Sequence, residues 1–169
     1  MTKDYAEIVT IDELKKKLPW DENAKTVVTS GGFDPIHPGH VSSIIESKKH
    51  GDILIVVVNG DWFLKNKKGK PFQDLATRCD IVAGIRYVDY VVPFEIENDS
   101  SVSKALEVIK PKIFTKGGDR NDVETLAEYP TCQRLGIEIV SKVGRAKDWS
   151  SSDFLEDWGK FYSEKNAGV

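Results

Sequence analysis

A chain of 169 residues with 40% hydrophobic content can bury one sizeable core and is too short for a multidomain assembly. Its net charge of −3 and pI near 5.7 exclude a general attraction to nucleic acid or anionic membrane, although Lys65-Asn66-Lys67-Lys68-Gly69-Lys70 is a local cationic cluster suited to a small anion. Cys79 and Cys132 have no CxxC spacing and read as thiols of a reducing compartment; with no apolar leader or bilayer-length run, the expectation is a cytoplasmic protein without a membrane partner.

In chain order, residues 11–18 are predicted to form a first helix, closed by Pro19. A short buried strand over 26–29 leads into Gly31-Gly32-Phe33-Asp34-Pro35-Ile36-His37-Pro38-Gly39-His40, and residues 41–50 follow as a helix with one apolar face. β-Branched runs predict further strands over 53–58, 88–93, 112–115 and 138–143. Helical periodicity predicts helices over 74–85, 101–110 and 123–135, with a last one from Ser151 to about Tyr162. Residues 1–164 are expected to form a single domain, followed by a flexible tail over 165–169. This βα alternation predicts a Rossmann-like, three-layer α/β/α fold on a five-stranded parallel sheet, with ligands beyond the carboxyl ends of the strands where the connection order reverses.

The strand-to-helix junction at residues 31–40 aims unpaired backbone N–H groups and the positive end of a helix dipole at whatever lies above the strand. His37 and His40 add imidazole donors to that field, Pro38 suits the first helical turn, and Gly39 lets the backbone approach a ligand. Zinc is a poorer reading, because the chain has one other histidine, His50, and no cysteine cluster. Ser150-Ser151-Ser152-Asp153 opens the last helix and reads either as an N-cap or as a second donor set able to hold a diphosphate. The cluster at 65–70 is expected to be a mobile loop that closes over phosphates. Arg78 and Arg86, eight residues apart, read as side chains projecting in one direction, toward a ligand or toward surface carboxylates. Lys116-Gly117-Gly118-Asp119 ends the fourth predicted strand and would bring Lys116 or Asp119 to the same sheet edge. Trp62, Phe63, Phe94 and Trp149 lie near these loops, as core packing or as a platform for a base.

The run Gly32–His40, with His37-Pro38-Gly39-His40 at its end, resembles the HxGH signature of the nucleotidylyltransferase superfamily. Arg145-Ala146-Lys147-Asp148-Trp149-Ser150-Ser151-Ser152 is similar to the second signature of that family, a Ser/Thr-rich helix start after the last strand. Residues 85–93 resemble the glycerol-3-phosphate cytidylyltransferase branch, whereas residues 8–14 and 116–119 resemble the adenylyltransferase branch of ADP-heptose synthesis. The resemblance implies transfer of AMP or CMP from ATP or CTP to a phosphorylated sugar or polyol, in line and with loss of pyrophosphate, by a homodimeric enzyme. Gly31, Gly32, Phe33, Asp34, Gly39, Lys116, Gly118, Asp119, Arg145, Ser150, Ser151 and Ser152 would then bind the nucleotide. His37 and His40 would donate to the α- and β-phosphates, Lys68 or a neighbouring lysine would close on the α-phosphate and acceptor, and Arg86 would contact the acceptor or leaving phosphates. Mg²⁺ would bridge the phosphates, with Asp34 reaching the ion directly or through water, or instead fixing the turn. The same donors would equally serve a nucleotide-binding module of this fold without transfer activity.

Overall fold

The computed structural model describes residues 4–17, 23–118, 122–146 and 150–168. Six parallel strands, β1 (Glu7–Ile8), β2 (Thr26–Gly31), β3 (Ile53–Asn59), β4 (Tyr90–Phe94), β5 (Ile113–Gly117) and β6 (Glu138–Val143), form one sheet in the order β1-β4-β3-β2-β5-β6. The helices are α1 (Ile11–Lys17), α2 (Pro38–Lys48), α3 (Asp61–Lys68), α4 (Leu75–Ala83), α5 (Ser103–Ile109), α6 (Tyr129–Leu135) and α7 (Ser151–Ala167), with a 3₁₀ turn at Val123–Thr125. No helix among the described residues is long and apolar enough to cross a membrane.

Burial on both faces explains the strand sequences. In β3, Leu54, Val56 and Val58 join one core cluster with Ile44 of α2 and Val82 of α4, while Ile55 and Val57 join the other with Leu14 of α1 and Leu106 of α5. The three-layer Rossmann-like architecture is as expected, but on six strands rather than five. The extra strand, β1, is two residues long, too short for any periodicity, and adds to the edge by pairing Glu7 with Tyr90 and Ile8 with Val91.

Three other expectations change. Residues 61–68, which contain most of the cationic cluster, form α3 rather than a mobile loop: Leu64 is buried beneath it and Gly69 ends it at φ +91°. The expected helix over 123–135 is split, because Pro130 can enter only at the start of α6. Helix α7 runs on to Ala167, through part of the expected flexible tail, from a capping box in which Ser150 Oγ accepts from the Asp153 N–H and Asp153 accepts from the Ser150 N–H.

Because β2 is followed by β3 and β4 on one side and bonded to β5 on the other, the connection order reverses between β2 and β5. That is where a parallel sheet of this kind opens a crevice at its carboxyl edge. The crevice is held from behind by Arg78, which is fully buried. Its guanidinium donates to the carbonyls of Gly32 (2.8 Å), Asn59 (2.5 Å) and Gln73 (3.0 Å) and to the carboxylate of Asp61 (2.7 Å). Arg78→Met leaves three carbonyls and a carboxylate without their donor, and is expected to cost about 3 to 5 kcal/mol. A urea denaturation midpoint close to the parent's would contradict this role.

Candidate functional site

The carboxyl ends of β2 and β5 border a cleft of about 660 Å³, lined by Ser30, Gly31, Gly32, Phe33, His37, Gly39, His40, Asn59, Phe63, Lys67, Lys116, Gly117, Gly118, Glu128 and Arg145 among others. The junction after β2 bends sharply, with Phe33 at φ 51° and a cis peptide between Asp34 and Pro35. His37 then caps α2: its Nδ1 accepts the Gly39 N–H at 3.1 Å. In the neutral ring this puts the proton on Nε2. Gly39 is required here because a Cβ would lie 2.9 Å from Cε1 of the capping ring. The rings of His37 and His40 are stacked with centroids 3.7 Å apart, and Phe33 meets His40 edge-on at 5.2 Å. Two imidazoles and the opening turn of α2 therefore form one donor surface.

The other wall comes from β5 and β6. Lys116 Nζ donates to Ser30 Oγ at 3.1 Å and lies 3.9 Å from the Glu128 carboxylate, which is itself buried and accepts the Val102 N–H. Glu128 is the one acid among the described lining residues, so its part is to orient Lys116 rather than to cancel the positive field. Arg145 joins the lining because Gly117 and Gly144 bring β5 and β6 against α2: a Cβ at Gly117 would meet Ser43 Oγ at 2.6 Å, and one at Gly144 would meet Ser43 N at 2.6 Å. The Arg145 N–H donates to Ser42 Oγ at 2.9 Å.

Of the expected site residues, His37, His40, Gly31, Gly32, Phe33, Gly39, Lys116, Gly118 and Arg145 come together in this cleft. Asp119, with Lys147, Asp148 and Trp149, lies outside the described residues. Ser150, Ser151 and Ser152 are not among the residues that line the cleft. Ser150 is occupied by its own capping box, while Ser151 Oγ donates to the Pro35 carbonyl at 2.8 Å and so ties the start of α7 to the imidazole loop. Phe154, one turn later, lies 6.3 Å from the His37 ring.

One open choice is decided and two expected roles are corrected. The Asp34 side chain is buried and fully used: Oδ2 accepts the Phe72 N–H, Oδ1 accepts the Gln73 N–H, both at 2.7 Å, and Lys68 Nζ pairs with Oδ2 at 2.8 Å. It fixes the turn and does not fit a metal ion. Lys68 is spent in the same contact, bonding also to the Asp34 carbonyl, and the lysine of the 65–70 cluster that lines the cleft is Lys67. Arg86 is exposed in the turn between α4 and β4, at the amino edge of the sheet, because α4 stops at Ala83. Among the described residues no group of three or more His, Cys, Asp or Glu is placed to hold a metal ion. Burial pushes the Cys79 and Cys132 thiols up to about 11, so neither is a nucleophile near neutral pH. The sequence reading missed Glu128 and Asn59 as site residues, left Phe63 between core packing and a platform for a base, and left the choice of lysine open.

Fold and cleft together define a parallel α/β protein with a donor-rich strand-to-helix junction at its switch point. A family model for cytidylyltransferase-like proteins matches residues 28–156, and the chain belongs to that family. It is 36% identical over 154 residues to "Bifunctional protein HldE" of Hahella chejuensis, covering 88% of this chain and 29% of that one. The HldE of Actinobacillus succinogenes is 41% identical over 116 residues, covering 66% of this chain and 24% of that one. The chain thus spans about a quarter of the length of these curated relatives. A crystal structure of a lipopolysaccharide core biosynthesis protein from Thermoplasma volcanium superposes with a TM-score of 0.62 at 31% identity, covering 73% of this chain and 99% of that one.

The Asp34–Lys68 contact separates two lysines that the sequence leaves equivalent. Lys68→Ala strands a buried carboxylate and is expected to cost about 3 kcal/mol, whereas Lys67→Ala is expected to stay within about 0.5 kcal/mol of the parent and to weaken nucleotide binding. Chemical denaturation and calorimetric titration with ATP and CTP check both halves, and the reverse pattern would refute the assignment.

Proposed function

We propose that this protein is a nucleotidyltransferase that moves AMP or CMP from ATP or CTP to a phosphorylated sugar or polyol and releases pyrophosphate. The observation that carries the reading is the stacked His37–His40 pair at the start of α2, facing Lys116 and Arg145 across one cleft at the switch point. Family membership and the similarity to HldE and to a lipopolysaccharide core biosynthesis protein support a sugar phosphate as acceptor.

The chemistry asks little covalent work of the protein. An oxygen of the acceptor phosphate bonds to the α-phosphorus while the bond from that phosphorus to the bridging oxygen breaks, and pyrophosphate leaves with the electron pair. Charge builds on the α-phosphate oxygens and on the leaving group, so catalysis is positioning and electrostatic stabilisation. His37 Nε2–H and the His40 ring supply donors on one side of that charge. Lys116, steadied by Ser30 and Glu128, and Arg145 supply cations on the other, with Lys67 at the α3 wall. A magnesium ion would travel with the nucleotide phosphates; Asp34 does not receive it, and no step here passes through it.

The test is a pyrophosphate-release screen of ATP, CTP, GTP and UTP against sugar, heptose and polyol phosphates. One productive pair with ATP or CTP is expected, and nucleotide binding without release under any pairing would mark a binding module instead. With the productive pair, His40→Ala is expected to lower turnover by about 10²–10³-fold with an unchanged thermal midpoint. Turnover close to the parent's would remove the imidazole from the mechanism.

A further inference from the structure

Helix α7 belongs to neither core cluster, and none of its 17 residues is buried. Its first turn is tied to the body through Ser151, but beyond that the aromatic side chains lie in solvent: Phe154 is 43% exposed, Trp158 63%, Phe161 51% and Tyr162 59%. A helix of this length gains little stability from its backbone alone and depends on covering an apolar stripe. With Leu155, these side chains occupy about 120° of the helix circumference.

The stripe is symmetric about Trp158. Leu155 and Phe161 stand three residues to either side of it, and Phe154 and Tyr162 stand four. A two-fold interface has to be complementary to itself, and a stripe that reads alike in both directions meets that condition when two copies run antiparallel. Charge selects the same orientation. Asp153, Glu156 and Asp157 precede Trp158, whereas Lys160 and Lys165 outnumber Glu164 after it. Antiparallel helices set each acidic half beside the partner's basic half and oppose their dipoles, while parallel ones would place three acids against three. Four acids against two lysines also oppose adsorption to anionic lipid.

At about 200 Å² per aromatic side chain, the exposed fractions amount to roughly 400 Å² per copy. That is a large patch for a monomer and about half of the ~800 Å² per partner of a standard interface, with Leu155 and the flanking side chains still to be added. We propose that α7 is the contact of a homodimer, packed antiparallel on the α7 of a second copy across a two-fold axis at Trp158. The pairing would act on the cleft as well, since Ser151 and Phe154 brace Pro35 and His37 from the same helix.

Sedimentation equilibrium of the 169-residue chain at micromolar concentration is expected to return twice 18.9 kDa. Trp158→Glu is expected to return the monomer mass while keeping the thermal transition of the core. Trp158→Cys, at the axis, is expected to form a disulfide-linked dimer under copper-phenanthroline oxidation, and Lys165→Cys, away from it, is expected to remain uncross-linked; Cys79 and Cys132 are buried and silent. A monomeric parent chain, a dimer untouched by Trp158→Glu, or cross-linking at position 165 but not at 158 would overturn the proposal. So would a monomer that uses Trp158 to bind vesicles of phosphatidylcholine and phosphatidylserine.

Discussion

The burial of one guanidinium sets the geometry of the whole carboxyl edge. A charge withdrawn from water costs several kcal/mol unless its donors are all met, and Arg78 meets that condition with carbonyls drawn from three separate segments. The peptide after β2, the last residue of β3 and the turn before α4 must therefore converge on one point. Asp61, at the start of α3, completes the shell and brings that helix over the strand ends. Gly32 accommodates it, since a Cβ there would lie 2.8 Å from Leu64. The imidazole loop consequently starts from a fixed base. The Asp34–Lys68 pair then holds the loop from the side, and Ser151 holds its next residue from above. Of these holding groups only Gly32 and Asn59 line the cleft, so the surface of the cleft and the groups that position it are for the most part different residues.

Most of the fold was legible because β3 and β6 are runs whose β-branched composition admits one reading, and the structure places them at or within a residue of their expected bounds. What failed had recognisable causes. Pro130 sat inside an expected helix that it can only begin. Gly69 was read as loop flexibility, whereas a glycine at positive φ after lysines is equally the end of a helix. β1 carried no signal of its own, since two residues have no period and the pairing that makes them a strand comes from Tyr90 and Val91.

For the site, the local part was legible and the non-local part was not. His37, Gly39 and His40 act within one turn of helix, so their spacing alone placed them. Asp34 and Lys68 find their partners 34 to 39 residues away and Arg78 reaches as far as 46, and a charge read along one sequence does not disclose whether it is spent inside the protein. Glu128 was missed for the same reason, its meaning lying in Lys116 and Val102. Arg86 is different, because topology held the answer. In a parallel sheet the turn that leads from a helix into a strand lies at the amino edge, opposite the crevice, and residues 85–87 precede a strand on either reading.

On the proposed function, these placements change how the cleft would gather the phosphates of a nucleotide. The expectation was two helix N-termini converging on a triphosphate, with serines at the second. The opening of α7 is occupied by its own Asp153 carboxylate, which accepts the Ser150 N–H. A carboxylate there offsets the positive end of the α7 dipole. The positive field opposite α2 instead comes from side chains, Lys116 and Arg145, delivered by strand ends that glycines 117 and 144 allow to approach α2. On the proposed function, a fixed dipole with its imidazoles on one wall and two side-chain cations on the other suit a row of phosphates between them, since the imidazoles and Lys116, held by Ser30 and Glu128, are in place before charge shifts from one phosphate to the next.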